Sequence, residues 1–249
     1  MILPHPEDAI HKAWLYRLLS ALVDDMMLAS VLRFKGGTCA AMLGYLDRFS
    51  VDLDFDLVVA TAEALPSIRE KMEAVFTGLG LEIKDASKNT AQYFLRYPVV
   101  GNKRNSLKVD VTFPPVSANK YQTVRLPEID RLVACQSVET MFANKLVALI
   151  DRYEKNESLA GRDVYDIHHF FLRGFRYTDE VIRERRGTDL ETFFRQLFNF
   201  VEKHVTEKVL TEDLNSLLPY AEFSKLRKVL KQETLMFLHD ERTRVCGKK

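Results

Sequence analysis

Ser50-Val51-Asp52-Leu53-Asp54-Phe55-Asp56-Leu57-Val58-Val59 alternates residue by residue. Val51, Leu53, Phe55 and Leu57 take one set of positions, and Asp52, Asp54 and Asp56 take the other. Successive side chains of a strand point to opposite faces, so this stretch predicts a strand with one apolar and one acidic face. Asp52 and Asp54 then share a face, with Cβ atoms about 6–7 Å apart.

Upstream of this strand, the apolar run Val31 to Lys35 stops at Gly36-Gly37. That pattern predicts a strand ending in a glycine turn. Thr38 is placed to cap a short helix over Cys39 to Leu46. Glycines let successive N–H groups approach a phosphate, and a following helix N-terminus adds positive potential. The Thr38 hydroxyl is a further donor. Before the turn, Ala13, Leu15, Leu18, Leu19, Leu22 and Val23 recur at helical spacing and predict a helix from Pro6 to Ser30.

Downstream, residues 61–80 carry a helical pattern with Ile68, Met72, Val75 and Phe76 on one side. Residues 81–113 read as β structure, with one strand at Tyr93 to Tyr97, a polar loop over 101–106 and a return strand from Leu107 to Phe113. Pro114-Pro115 ends it, because proline cannot donate to a ladder. On the return strand Val109, Val111 and Phe113 face one way and Asp110 and Thr112 the other. If this strand neighbours the acidic one, Asp52, Asp54 and Asp110 point into one cleft. Unrelieved, such a cluster raises its own pKa values. A hard divalent cation relieves it, and Mg²⁺ prefers a few carboxylates plus substrate phosphates, so a nucleoside triphosphate suits the set. Taken singly, the Gly-Gly pair is an ordinary turn and each aspartate an ordinary solvated residue. The combination is what points to chemistry.

Beyond about residue 136 strand signals disappear. Val138–Tyr153, Arg162–Leu172, 190–204, 212–219 and 222–240 read as helices. The fold class is therefore α+β: a mixed sheet with flanking helices over residues 1–133, then an all-helical domain over 134–249. Lys145 and Arg152 are seven apart and share a helix face. They suit an anionic triphosphate, or they pair locally with Asp151 and Glu154. Asp163 and Asp166, three apart, also share a face. They are further acidic candidates, or they salt-bridge Arg162 or a neighbouring helix.

The chain has 249 residues with 36 Lys+Arg against 35 Asp+Glu, a net charge of +1. That balance excludes nucleic-acid binding by bulk charge but leaves local patches open. Such patches are Lys103, Arg104 and Lys108; Arg183, Arg185 and Arg186; and Lys225, Arg227, Lys228 and Lys231. An RNA backbone could lie across them, or they are solvated faces. Three scattered cysteines build neither a disulfide framework nor a zinc site, which fits a cytoplasmic protein. No apolar stretch reaches the roughly 18 residues of a membrane span.

Phe34-Lys35-Gly36-Gly37-Thr38, Arg48-Phe49-Ser50-Val51-Asp52-Leu53-Asp54-Phe55 and Val109-Asp110-Val111 resemble the DNA polymerase β-type nucleotidyltransferase superfamily. Within it the wording is most similar to the AbiEii/AbiGii toxins of bacterial toxin–antitoxin and phage-defence systems. Asn144 to Leu149, Arg152 and Gly161 to Ile167 resemble that group's later segment. The resemblance covers roughly residues 30–170. It implies a polymerase β-like core that transfers NMP from an NTP to an acceptor hydroxyl and releases pyrophosphate. It implies that Asp52, Asp54 and Asp110 hold Mg²⁺, in two ions, with Asp110 helping to activate the acceptor. Gly36, Gly37 and Thr38 would hold phosphate oxygens, Lys145 and Arg152 would meet the triphosphate, and Asp163 would be a further acidic catalytic residue, with Asp166 its alternate. The implied partners are an RNA acceptor, such as a tRNA end, and a cognate antitoxin. The rival readings are a small-molecule or protein acceptor, and an inactive nucleotide-binding module.

Overall fold

The computed structural model describes residues 1–59, 61–98 and 104–247, and the chain divides into two units. The first comprises Met1–Pro115 with Lys120–Ser137, and the second Val116–Asn119 with Val138–Lys249.

The first unit is built on a seven-stranded mixed sheet. Its strands are β1 (Leu32–Lys35), β2 (Asp52–Leu57), β3 (Glu82–Ala86), β4 (Ala91–Arg96), β5 (Ser106–Thr112), β6 (Tyr121–Leu126) and β7 (Arg131–Gln136). They lie in the order β3-β4-β5-β2-β1-β7-β6. The acidic strand β2 is central, antiparallel to β1 and parallel to β5. Its apolar positions Leu53, Phe55 and Leu57 are buried, as are Val109 and Val111 of β5. Helix α1 (Asp8–Asp24) lies against β2 and β7, and α4 (Leu65–Gly78) against β3 and β4. Burying these aliphatic and aromatic side chains is the main stabilising term, at about 1.5–3 kcal/mol for each one fully removed from water.

Two local features depart from the sequence reading. The first helix ends at Asp24, and α2 (Met26–Val31) starts anew because the Asp25 carboxylate accepts a hydrogen bond from the Leu28 N–H as an N-cap. Strands β6 and β7 extend the sheet past Pro115, through a stretch in which the sequence reading named no individual strand. Leu132 of β7 is 68% exposed, so no clean alternation marks that strand.

The second unit is helical apart from residues 116–119. It contains α5 (Val138–Asn156), α6 (Gly161–Leu172), α7 (Asp179–Arg186), α8 (Leu190–His204), α9 (Glu207–Leu214) and α10 (Tyr220–Cys246). Phe142, Phe170, Phe193 and Phe194 are fully buried among these helices. Arg185 donates to Asp151 at 2.6 Å and to Asn144 Oδ1 at 2.8 Å. Arg186 donates to Asp151 at 2.6 Å and to Glu154 at 2.8 Å. Those two arginines, expected in a basic surface patch, instead tie α7 to α5.

Candidate active site

Hydrogen-bond register sets the site. Asp54 of β2 is the partner of Asp110 on β5, and Asp52 is the partner of Lys108. Gln92 of β4 pairs with Asp110 on its other side, and Lys35 of β1 pairs with Asp54. Paired residues of neighbouring strands point to the same face. A row therefore crosses four strands as Gln92, Asp110, Asp54 and Lys35. It lies on the face opposite Leu53, Phe55 and Val109. The three expected carboxylates share that face, and none is fully buried.

The glycine turn is built for Asp54. Gly36 has φ +79°, and a Cβ placed on it would lie 2.2 Å from Asp54 Oδ2. The backbone thus meets the carboxylate where only glycine fits. Gly37 is close-packed too, since a Cβ there would lie 2.8 Å from Arg48 Nη2 and 2.9 Å from Ser50 Oγ. Helix α3 (Gly36–Met42) begins directly at these glycines, so Thr38 sits inside it. Thr38 is fully buried, and its Oγ1 lies 2.9 Å from Ser50 Oγ and 2.5 Å from the Asp52 carbonyl oxygen. In this structure its hydroxyl fixes the start of β2 through Ser50 and the Asp52 carbonyl.

Asp56 shares the acidic face but is 1% exposed and fully engaged. Lys35 Nζ lies 2.6 Å from Asp56 Oδ1 and 2.7 Å from Thr112 Oγ1. Tyr121 and Gln136 donate to Asp56 Oδ2 at 2.9 and 2.6 Å. The third aspartate of the strand is therefore an internal anchor joining β1, β2, β6 and β7.

Asp110 has two close donors that the sequence did not assign to it. Its Oδ2 accepts from Lys108 Nζ at 2.6 Å and from Gln92 Nε2 at 2.8 Å. Burial alone would raise its pKa, but Lys108, then Gln92 and Lys35, hold it below the usual carboxylate value. Of the basic cluster expected around residues 103–108, Lys103 lies outside the described residues and Lys108 is committed to Asp110.

His11 of α1 also bears on the site. It is 1% exposed, and burial pushes its pKa down to about 4, so the ring is neutral at pH 7. Its Nε2 lies 2.9 Å from the Val51 carbonyl oxygen, which can only accept, so Nε2 carries the proton. That bond ties α1 to the residue preceding Asp52.

As their side chains stand, no three His, Cys, Asp or Glu groups among the described residues converge on one point where an ion would sit. By type the donors still fit: three carboxylates share one sheet face, all hard oxygen ligands suited to Mg²⁺. An ion at Asp110 would contend with Lys108 and Gln92 for its oxygens.

The second unit holds its own charged cluster. Lys145 Nζ of α5 lies 2.8 Å from Asp163 Oδ1 and 2.8 Å from Asp166 Oδ2, both on α6. Arg152 Nη2 lies 3.2 Å from Asp163 Oδ2. Asp163 and Asp166 are fully buried. Burial would raise the Asp163 pKa, but Lys145 and Arg152 pull it down to about 2. Of the alternatives open for the two aspartates, the neighbouring helix supplies their partners.

The family described as "Nucleotidyl transferase AbiEii toxin, Type IV TA system" matches residues 17–234. No curated protein matches the chain. Among solved structures, a Helicobacter pylori protein assigned as a nucleotidyltransferase is similar at TM-score 0.60 and 18% identity, over 98% of this chain and 99% of that one. MenT4, a nucleotidyltransferase toxin from Mycobacterium tuberculosis, is similar at TM-score 0.54 and 18% identity, over 95% and 86% of the respective chains. At that identity the structural likeness speaks for the fold alone, a nucleotidyltransferase fold. The family match spans most of the sequence, and the chain belongs to the AbiEii nucleotidyltransferase toxins of type IV toxin–antitoxin systems.

Proposed function

We propose that Asp52, Asp54 and Asp110 hold divalent cations, Mg²⁺ in two ions, together with the triphosphate of an NTP. The observation that carries this is the register of Asp54 against Asp110. When bound, such cations supply charge stabilisation to the attacking and leaving oxygens of an in-line displacement. An acceptor hydroxyl, giving up its proton toward Asp110, would attack the α-phosphorus; the bond from that phosphorus to the β-phosphate oxygen would break and pyrophosphate would leave.

The chain's own residues provide position and charge. Gly36 brings its backbone against the Asp54 carboxylate, and Gly37 and Thr38 fix the turn behind it. The phosphate contacts we assign to this turn come from backbone N–H groups, because the Thr38 hydroxyl is internal. His11 and Thr38 hold the backbone on either side of Asp52 through the Val51 and Asp52 carbonyls. Lys145, Arg152 and Asp163 stay in the proposal on the family resemblance, as residues required for transfer.

For the acceptor we propose an RNA end, such as that of tRNA. Exposed Lys225 and Lys228 on α10 and Arg183 on α7 support backbone contacts in the second unit. The test is incubation of the protein with α-labelled NTPs and, separately, total RNA, total protein and small hydroxylated molecules. Label entering RNA is the expected result. Label entering only protein or a small molecule would replace RNA as acceptor, and no incorporation anywhere would end the transferase reading. An antitoxin partner is tested by whether an adjacent co-expressed gene product relieves growth arrest.

A further inference from the structure

Lys108 stands where its charge acts on the carboxylate face. It lies two residues before Asp110 on β5, so both side chains emerge on one face. In register it is the partner of Asp52 on β2. Its Nζ folds along its own strand to Asp110 Oδ2 at 2.6 Å, the oxygen that Gln92 also holds. The pair is partly open to solvent, each side chain 30% exposed. A partly exposed ion pair contributes about 1 kcal/mol or less to stability, so the contact can be exchanged at small cost to the fold. Yet it places a full positive charge on the face that carries Asp52, Asp54 and Asp110.

Resting on the reading of Asp52, Asp54 and Asp110 as the cation site, we propose that Lys108 is a resident counter-ion. A divalent cation must displace it from Asp110, and Lys108 thereby sets the cation concentration at which the site fills. Gln92 plays a different part. Its amide is neutral, so it orients the same oxygen without competing by charge. The two neighbours of Asp110 are thus separable by experiment.

The test is direct Mn²⁺ binding, read from the electron paramagnetic resonance signal of free Mn²⁺ in the absence of any acceptor. The proteins are wild type, Lys108→Met, Lys108→Gln, Gln92→Leu and Asp110→Asn. Lys108→Gln retains a hydrogen-bond donor without the charge, which keeps the test sound if the methionine variant folds poorly. Both Lys108 variants are expected to bind Mn²⁺ about fivefold or more tighter than wild type, and Gln92→Leu to stay within about twofold. Unchanged or weaker binding in both Lys108 variants, with wild type still binding and Asp110→Asn losing affinity, overturns the counter-ion role alone. Equal binding by wild type and Asp110→Asn, or none by any variant, overturns the carboxylate site and this inference with it.

Discussion

Asp54 and Asp110 come from segments more than fifty residues apart in sequence, yet they are register partners on adjacent parallel strands. Parallel neighbours require a crossover, and here the chain between them forms α4, β3 and β4. The pairing sets two carboxylates side by side, with Gln92 and Lys35 outside them. The pair lies on the face away from the core, because every apolar position of β2 turns the other way, and it is there that we propose the cations bind.

Asp54→Asn and Asp110→Asn are each expected to lower nucleotidyl transfer by at least about a hundredfold. Their thermal midpoints should stay within a few degrees of wild type, because both side chains are partly exposed. Initial rates with labelled NTP, alongside thermal melts, check both halves of this expectation.

Gly36→Ala should damage both fold and site. Its φ of +79° disfavours any Cβ, and the new methyl would lie 2.2 Å from Asp54 Oδ2. We expect a loss of about 1–3 kcal/mol in denaturant unfolding, together with loss of transfer. Gly44, at φ +73° with open space around it, is the control. Gly44→Ala should cost stability without touching transfer.

Asp56→Ala tests the division of labour along β2. Removing this buried carboxylate takes a shared acceptor from Lys35, Tyr121 and Gln136, and is expected to cost about 3 kcal/mol in urea unfolding. Asp52→Ala, at the other end of the same face, should cost far less stability and far more transfer. Equal stability losses at the two positions would contradict the assignment.

Acid should destabilise the chain in two steps. His11 has a folded pKa of about 4, below the ordinary value of 6.5, so the unfolded chain binds the proton first. Stability is then complete above about pH 6.5 and falls as pH drops toward 4, by about 3 kcal/mol. Asp163, depressed to about 2, adds a second loss as pH falls from about 4 toward 2, of about 2 kcal/mol. Urea midpoints from pH 2 to 8 should show both slopes. His11→Gln should flatten the upper one and Asp163→Asn the lower.

Much of the site was legible because alternation reports faces. Period two along 51–57 and 107–113 placed Asp52, Asp54 and Asp110 opposite apolar side chains, and the structure keeps them there. Which strands adjoin is a long-range matter that periodicity does not encode, so the Asp54–Asp110 pairing is visible only in the folded sheet. For the same reason Lys108 looked like part of an exposed basic run, when folding turns it onto Asp110. Thr38 read as a helix cap and phosphate donor, because its internal partners, Ser50 and the Asp52 carbonyl, lie twelve or more residues on. Asp25 escaped notice because apolar spacing continues across it, and a single capping carboxylate splits the helix. The charges of α5 and α6 carried their spacing but not their partners, which only helix packing supplies.

The most direct test is transfer of α-labelled nucleotide by wild type and by Asp54→Asn, Asp110→Asn and Asp52→Ala, with acceptors pooled so that none is presupposed. We expect label in wild-type reactions containing Mg²⁺, lost on chelation and absent from all three variants. Wild-type levels of label with any of these aspartates removed would contradict the cation-bearing face across β2 and β5.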